Sequence, residues 1–208
     1  MLKKFIGKEK GITGLETAII LIAFVVVAAV FAYTALSAGL FSTQKAQEAV
    51  YSGLKEAQST LELKGAVIAT GNVTGDSGSI GEITFTVANV LGGEPVDFTP
   101  PSNGAGGIAT GNDHKVVINY LDSDQAIDNL YWTVTKLGND DGDSLLETGE
   151  KFQITVGSQS GQGNLVDALG DDLTVNRTFS LVIMTPFGAV LTIERITPPY
   201  IDKIMNLR

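Results

Sequence analysis

Residues Asn139 to Glu150 read NDDGDSLLETGE. With Asn139 as the first position, side-chain oxygens able to ligate a hard cation fall at positions 1, 3, 5, 9 and 12. These are Asn139, Asp141, Asp143, Glu147 and Glu150, with apolar Leu146 at the eighth. This is the ligand spacing of a twelve-residue calcium loop, where alternate side chains converge on one ion and a final Glu binds through both oxygens. Carboxylates this dense repel one another unless a cation neutralises them. The spacing therefore predicts a structural divalent ion, calcium by its oxygen ligands. Two features depart from the pattern. Ser144 occupies the position of the usual turn glycine, and the flanking segments YWTVTKL and FQITV read as strands instead of helices. The competing reading is an acidic hairpin loop, solvated and screened by salt.

No other residues suggest bond-making chemistry. The single histidine, His114, follows Asp113 in a polar stretch and is expected to end a loop, not to act as a base. There is no G-x-S-x-G, no phosphate-binding glycine loop and no H-E-x-x-H, and zero cysteines exclude thiolate chemistry and disulfides. The remaining carboxylates sit mostly in turns, where Asp accepts local hydrogen bonds. The sequence does not read as an enzyme. Two N-glycosylation sequons occur, Asn72-Val73-Thr74 and Asn176-Arg177-Thr178; Asn72 and Asn176 are sugar acceptors if that part of the chain lies outside the cell.

The N-terminus decides which side of a membrane that part occupies. Ala18 to Tyr33, AIILIAFVVVAAVFAY, has no strongly polar side chain, and no charge occurs from Thr17 to Gln44. As a helix this uncharged stretch measures about 42 Å at 1.5 Å per residue, enough to cross a hydrocarbon core of ~30 Å. Lys3, Lys4, Lys8 and Lys10 precede it against Glu9 alone, which places Met1 in the cytoplasm and the C-terminal part outside. Three readings fit: a secretory signal cut near Ala35–Ala38, a plain membrane anchor, and a leader cut before the apolar run. The first is weakened by apolar length beyond the usual ~7–15 residues, and by helical patterning that continues through Leu63.

The third reading rests on the junction Glu9-Lys10-Gly11-Ile12-Thr13-Gly14-Leu15-Glu16-Thr17. It resembles the class III signal of type IV pilin-like proteins, in which cleavage follows a glycine preceded by a basic residue. Here Lys10 and Gly11 would precede the cut and Ile12 would become the first mature residue. Residues 1–11 would leave with four lysines and one glutamate, a net charge of +3. The greasy helix would then be free to exchange lipid for copies of itself. Glu16, fifth from Ile12, is the one charge between Ile12 and Gln44, and a carboxylate there is costly unless paired. In the pilin superfamily this position is proposed to pair with the N-terminal amine of a neighbouring subunit. The alternative is an interfacial Glu favoured by the helix dipole.

From Gly14 to Val50 the sequence closely resembles the N-terminal helix of archaellins, the subunits of the archaeal flagellum (archaellum), and Gly14 at the third mature position fits that family. Glu16 is a departure, since many archaellins lack an acidic residue there, and it brings the chain nearer to adhesive pilins. The resemblance implies a filament subunit for swimming motility, polymerising with itself or with related archaellins. It also implies a prearchaellin peptidase, an assembly ATPase with a membrane platform, and residence in the membrane before assembly. The alternatives are an archaeal adhesive pilin, a membrane-tethered ligand-binding ectodomain and a secreted soluble domain.

The elements that position these features follow from periodicity. After Gln44 polar residues enter, and Val50, Leu54, Ala57 and Leu61 form a 4-3-4 apolar stripe. One helix is expected from Ile12 to about residue 64, roughly 78 Å to Leu63. Ala28, Ala29, Ala32, Ala35, Ala38 and Gly39 would allow close helix approach.

At Gly65 the period changes to short Val-, Ile-, Thr- and Phe-rich runs at 66–70, 80–90, 115–120, 130–136, 151–156, 177–184 and 189–196. These predict an antiparallel immunoglobulin-like β-sandwich over 65–208, with Trp132 between its sheets. Residues 92–113, with six glycines and three prolines, read as a long surface loop. The fold class is thus α+β, with a long hydrophobic helix followed by a sandwich. Residues 65–208 carry 7 Lys/Arg against 18 Asp/Glu, a balance of 7 − 18 = −11. That charge repels phosphate and excludes a nucleic-acid partner.

Overall fold

The computed structural model describes residues 12–58, 60–90, 92–157 and 163–207. The chain divides into two units between Ser52 and Gly53. Helix α1, Ile12–Gln58, contains 47 residues, about 70 Å at 1.5 Å per residue. From Gly14 to Ala57 every one of its residues is exposed, although Leu15 to Leu40 is almost wholly apolar. The hydroxyls within this stretch are satisfied by the helix itself. Thr17 Oγ1 donates to Gly14 O at 3.2 Å, Thr34 to Phe31 O at 2.9 Å and Thr43 to Gly39 O at 2.9 Å. Such back-bonding lets Thr sit on a surface that water will not wet.

The strands follow in chain order: β1 Leu61–Val73, β2 Ser79–Asn89, β3 Val96–Asp97, β4 Asn103–Ala105, β5 Ile108–Thr110, β6 Val117–Asp122, β7 Ala126–Ile127, β8 Trp132–Leu137, β9 Leu145–Leu146 and β10 Lys151–Val156. After a four-residue helix α2, Leu165–Ala168, come β11 Thr178–Met184, β12 Val190–Ile196 and β13 Ile204–Leu207. One sheet runs β13-β1-β2-β10-β8 and the other β12-β11-β6-β7, with antiparallel pairing throughout. Side chains alternate as a half-buried strand requires. Phe152, Ile154 and Val156 of β10 face inward, as do Phe179, Leu181 and Ile183 of β11, in one core shared by both sheets. Trp132 is fully buried in it.

All seven expected strand segments exist, but two boundaries differ. The helix stops at Gln58, short of Leu63, and Leu61 does not extend the helical stripe. Leu61 and Leu63 alternate with Glu62 and Lys64, so two-residue periodicity serves as well as the helical one. Pairing with Asn89 to Thr86 of β2 buries Leu61 to 5% exposure, a gain the free helix cannot offer. The stretch 92–113 is not a plain surface loop either. It carries β3, β4 and β5, and Val96 and Phe98 are fully buried. Short strands hidden among Gly and Pro, together with β13 and α2, lie below the resolution of periodicity arguments.

Candidate functional site: assembly helix and outer-domain loops

Glu16 lies beyond the first turn of α1, and both it and Gly14 are exposed. Glycine inside a helix destabilises it by ~1 kcal/mol relative to alanine. Yet a Cβ added at Gly14, Gly39 or Gly53 would meet nothing within 4 Å. Among the described residues nothing packs against these three positions, which leaves them open to close approach by another helix. The Lys10–Gly11 side of the expected cleavage junction lies outside the described residues; Ile12 opens the described helix.

The acidic loop is held by its own backbone. Val96 and Asp97 pair with Leu146 and Leu145, and Leu146 is fully buried. Asp140 Oδ1 accepts from Gly142 N at 2.9 Å, Asp141 Oδ1 from Asp143 N at 3.2 Å, and Asp143 Oδ1 from Leu145 N at 2.7 Å. Glu150, buried at 8% exposure, accepts from Glu147 N at 3.0 Å. Lys136 Nζ donates to Gly142 O at 2.7 Å and lies 4.0 Å from Asp140.

The convergence expected of Asn139, Asp141, Asp143, Glu147 and Glu150 is therefore not found. Among the described residues no three His, Asp or Glu side chains gather so as to hold a metal ion. The ligand spacing is present in sequence, but its oxygens point to successive N–H groups along a hairpin, where an Asx turn needs only a two-residue offset. As placed, the carboxylates are spread along the hairpin and not gathered at one point.

Asn72 and Asn176 are both exposed. Asn72 lies near the end of β1, with its Oδ1 accepting from Asn164 Nδ2 at 3.4 Å. Asn176 precedes β11 at φ 55°, a left-handed conformation that Asn tolerates better than most residues. His114 Nε2 meets Asn129 Oδ1 at 2.8 Å and takes no part in a catalytic constellation.

One cluster had no local sequence signal. Tyr120 donates to Asp122 Oδ2 at 2.8 Å, and Asp122 Oδ1 accepts from Asp124 N at 2.8 Å and Gln125 N at 2.9 Å. Arg177 Nη1 lies 3.5 Å from Asp122 Oδ2, and Nη2 bonds Asp124. Burial pushes the Asp122 carboxyl up, but the donated hydrogen bonds outweigh it and leave its pKa below the ordinary value. Burial, followed by the bond to Asp122, raises the Tyr120 phenol. The group joins the end of β6 to the residue that precedes β11.

A long exposed apolar helix followed by a compact sandwich defines a subunit built to be covered by copies of itself, in the manner of pilin-like surface filaments. The family model for archaeal-type flagellin matches residues 11–195, beginning at the glycine of the expected cleavage junction. Probable flagellin 1 of Archaeoglobus fulgidus is 38% identical over 216 residues, covering 98% of both chains. Probable flagellin 2 of the same organism is 37% identical, covering 95% of this chain and 94% of that one. The solved archaeal flagellum of Methanospirillum hungatei matches with a TM-score of 0.61 and 28% identity, covering 93% of this chain and 98% of that one. The chain belongs to the archaeal-type flagellin family. Membership places it among structural filament subunits, and not among enzymes.

Proposed function

We propose that the mature chain begins at Ile12, waits in the cytoplasmic membrane through α1, and polymerises into the extracellular filament of the archaellum for swimming. The observation that carries this is the exposure of the whole apolar helix. Leu15, Ile20, Leu21, Phe24, Phe31 and Leu36 are each 64% exposed or more. A surface of that size is tolerated in lipid or against other helices, not in water. Lipid serves before assembly and like helices serve after it. A peptidase acting at Gly11 frees the amine of Ile12, and a cytoplasmic ATPase with a membrane platform drives insertion at the filament base. Sugars on Asn72 and Asn176 hydrate the outer surface.

Sequencing the N-terminus of the native protein tests the first step. Ile12 is expected; an intact Met1 indicates a tether and a start near Gly39 indicates secretion. Electron microscopy of sheared cells should then show filaments built from this chain. Deletion should abolish swimming and leave attachment intact, whereas loss of attachment alone assigns the filament to adhesion.

A further inference from the structure

Across the outward face of the second sheet, Leu121 of β6, Ser180 of β11 and Glu194 of β12 stand side by side in register. Ser180 is the smallest of the three and sits in the middle, so the row has a notch at its centre. A groove of about 530 Å³ opens there, lined also by Ser123, Asn176 and Arg177. That volume lies within the ~300–1,000 Å³ of small-molecule sites. Its chemistry is mixed in the way a sugar ring is mixed. Leu121, 49% exposed, offers an apolar surface to a C–H face, while Ser180, Ser123 and Glu194 offer partners to hydroxyls.

Asn176 is one of the lining residues, and its backbone is held in place. Its N–H donates to Pro198 O at 3.3 Å, and the next residue is held twice, Arg177 N to Thr197 Oγ1 at 2.8 Å and Thr197 N to Arg177 O at 2.9 Å. The Arg177 guanidinium is anchored on Asp122 and Asp124. A group attached at Asn176 therefore starts from a held backbone within the lining of the groove. Asn72 is placed otherwise, with its amide oxygen engaged by Asn164.

We propose that this groove is the seat of the first saccharide unit linked to Asn176, which packs on Leu121 and Ser180 and so fastens the glycan to the sheet. The inference rests on occupancy of the Asn176 sequon. Attachment forms a bond from Asn176 Nδ2 to C1 of a phosphate-activated saccharide. The C1–O bond to phosphate breaks, the phosphate leaves with that electron pair, and the amide proton passes to the transferase base.

The test uses native glycosylated protein, purified from its own host, in five forms: wild type, Thr178→Val, Ser180→Leu, the double variant of these two, and Leu121→Ser. Thr178→Val removes the sequon without placing another residue at the positive φ of Asn176. Mass spectrometry of the Asn176 peptide should show sugar in wild type, Ser180→Leu and Leu121→Ser, and none in the two forms that carry Thr178→Val. Wild type should melt at least about 2 °C above Thr178→Val, a shift equivalent to roughly 0.5–1 kcal/mol, while Ser180→Leu and the double variant should melt together. Leu121→Ser, which removes the apolar floor at a half-exposed position, should abolish the same increment. An unglycosylated Asn176 in wild type overturns the underlying sequon reading. A glycosylated Ser180→Leu that keeps the full increment over the double variant overturns the groove alone. Filament loss in Ser180→Leu with the melting increment intact assigns the groove to a second copy of the chain and also overturns the proposal.

Discussion

Phe98 meets Trp132 edge-on, with ring centroids 6.0 Å apart and planes at 78°. It meets Phe152 in the same way at 6.1 Å and 81°. Phe98 comes from the Gly- and Pro-rich stretch 92–113, and its N–H donates to Ser144 O at 2.8 Å, so this stretch plugs the core and braces the acidic loop together. Truncation of a fully buried phenylalanine costs about 3–5 kcal/mol. Phe98→Ala should lower the melting temperature of the outer domain by roughly 6–20 °C for a domain of this size, with the helical signal of α1 unchanged. A loss under ~1 kcal/mol would mean that the segment is an appendage.

The end of α1 is tied to the sandwich by backbone hydrogen bonds, with Lys55 Nζ lying 5.7 Å over the Phe187 ring. Gln58 O accepts from Glu94 N at 3.1 Å and Thr60 O from Val90 N at 3.4 Å, meeting carbonyls that a helix end leaves open. Gly93 lies in this junction, where a Cβ would come within 2.5 Å of Gln58 O and closer still to Asn89 Oδ1. The Asn89 side chain is itself committed, donating to Glu94 O at 2.7 Å. Gly93→Ala should therefore destabilise the domain by about 1–3 kcal/mol, read by urea denaturation. Gly92→Ala is no control, because its φ of +80° is strained for any side chain.

These two cases mark what the sequence made legible. The apolar rod, its polar second half and the seven longer strands all follow from hydrophobic period, and the sequence alone placed Trp132 inside. Val96 and Phe98 did not reveal themselves because two buried residues two apart, flanked by Gly and Pro, satisfy both a loop and a very short strand. Arg177 and Asp122 are 55 positions apart in the chain, and no local rule pairs them. The ligand spacing at 139–150 was legible but ambiguous: Asx turns and a calcium loop both place Asp at alternate positions, and only the direction of the oxygens separates them.

The Tyr120–Asp122 pair predicts how stability varies with pH at both ends. Asp122 has a folded pKa below its ordinary 3.8. Its contribution is present above that value and is lost as pH falls from there through the folded pKa. Tyr120 has a folded pKa raised above its ordinary 10.0. The folded state holds this proton more tightly, so its contribution is complete below pH 10.0 and fades as pH rises beyond it. Tyr120→Phe should flatten the alkaline decline in melting temperature, and Asp122→Asn should flatten the acid one. Parallel curves for wild type and both variants would remove the pair from the pH response.

Calcium dependence is tested at the same loop that raised it. Glu150 accepts from Glu147 N and Asp143 from Leu145 N through one oxygen each, so an ion gathered by the other oxygens must draw the loop into a new arrangement. The loop as placed predicts that chelator changes the melting temperature by less than about 1 °C, well under the effect of losing a specific ligand held at 100 Kd. A larger drop that disappears in Asp141→Ala/Asp143→Ala would establish a cation site in a rearranged loop.

Glu16 carries the last prediction. From Ile12 to Gln44 the helix has no basic residue, and Lys45, the first to follow, is 29 residues away, about 43 Å along the axis. No lysine or arginine of α1 lies near enough to neutralise Glu16, and under the proposed processing the lysines of residues 1–11 would be lost. The proposed cut would supply a cation, the amine of Ile12, and would so tie assembly to processing. Glu16→Ala should still insert in the membrane and still be cut to Ile12, because neither step needs the carboxylate, but filament yield should fall at least about tenfold, equivalent to ~1.4 kcal/mol per subunit addition. Glu16→Asp should recover part of it. Wild-type filament yield from Glu16→Ala, measured by electron microscopy and by the protein sheared from cells, would reduce Glu16 to an interfacial charge placed near a helix N-terminus.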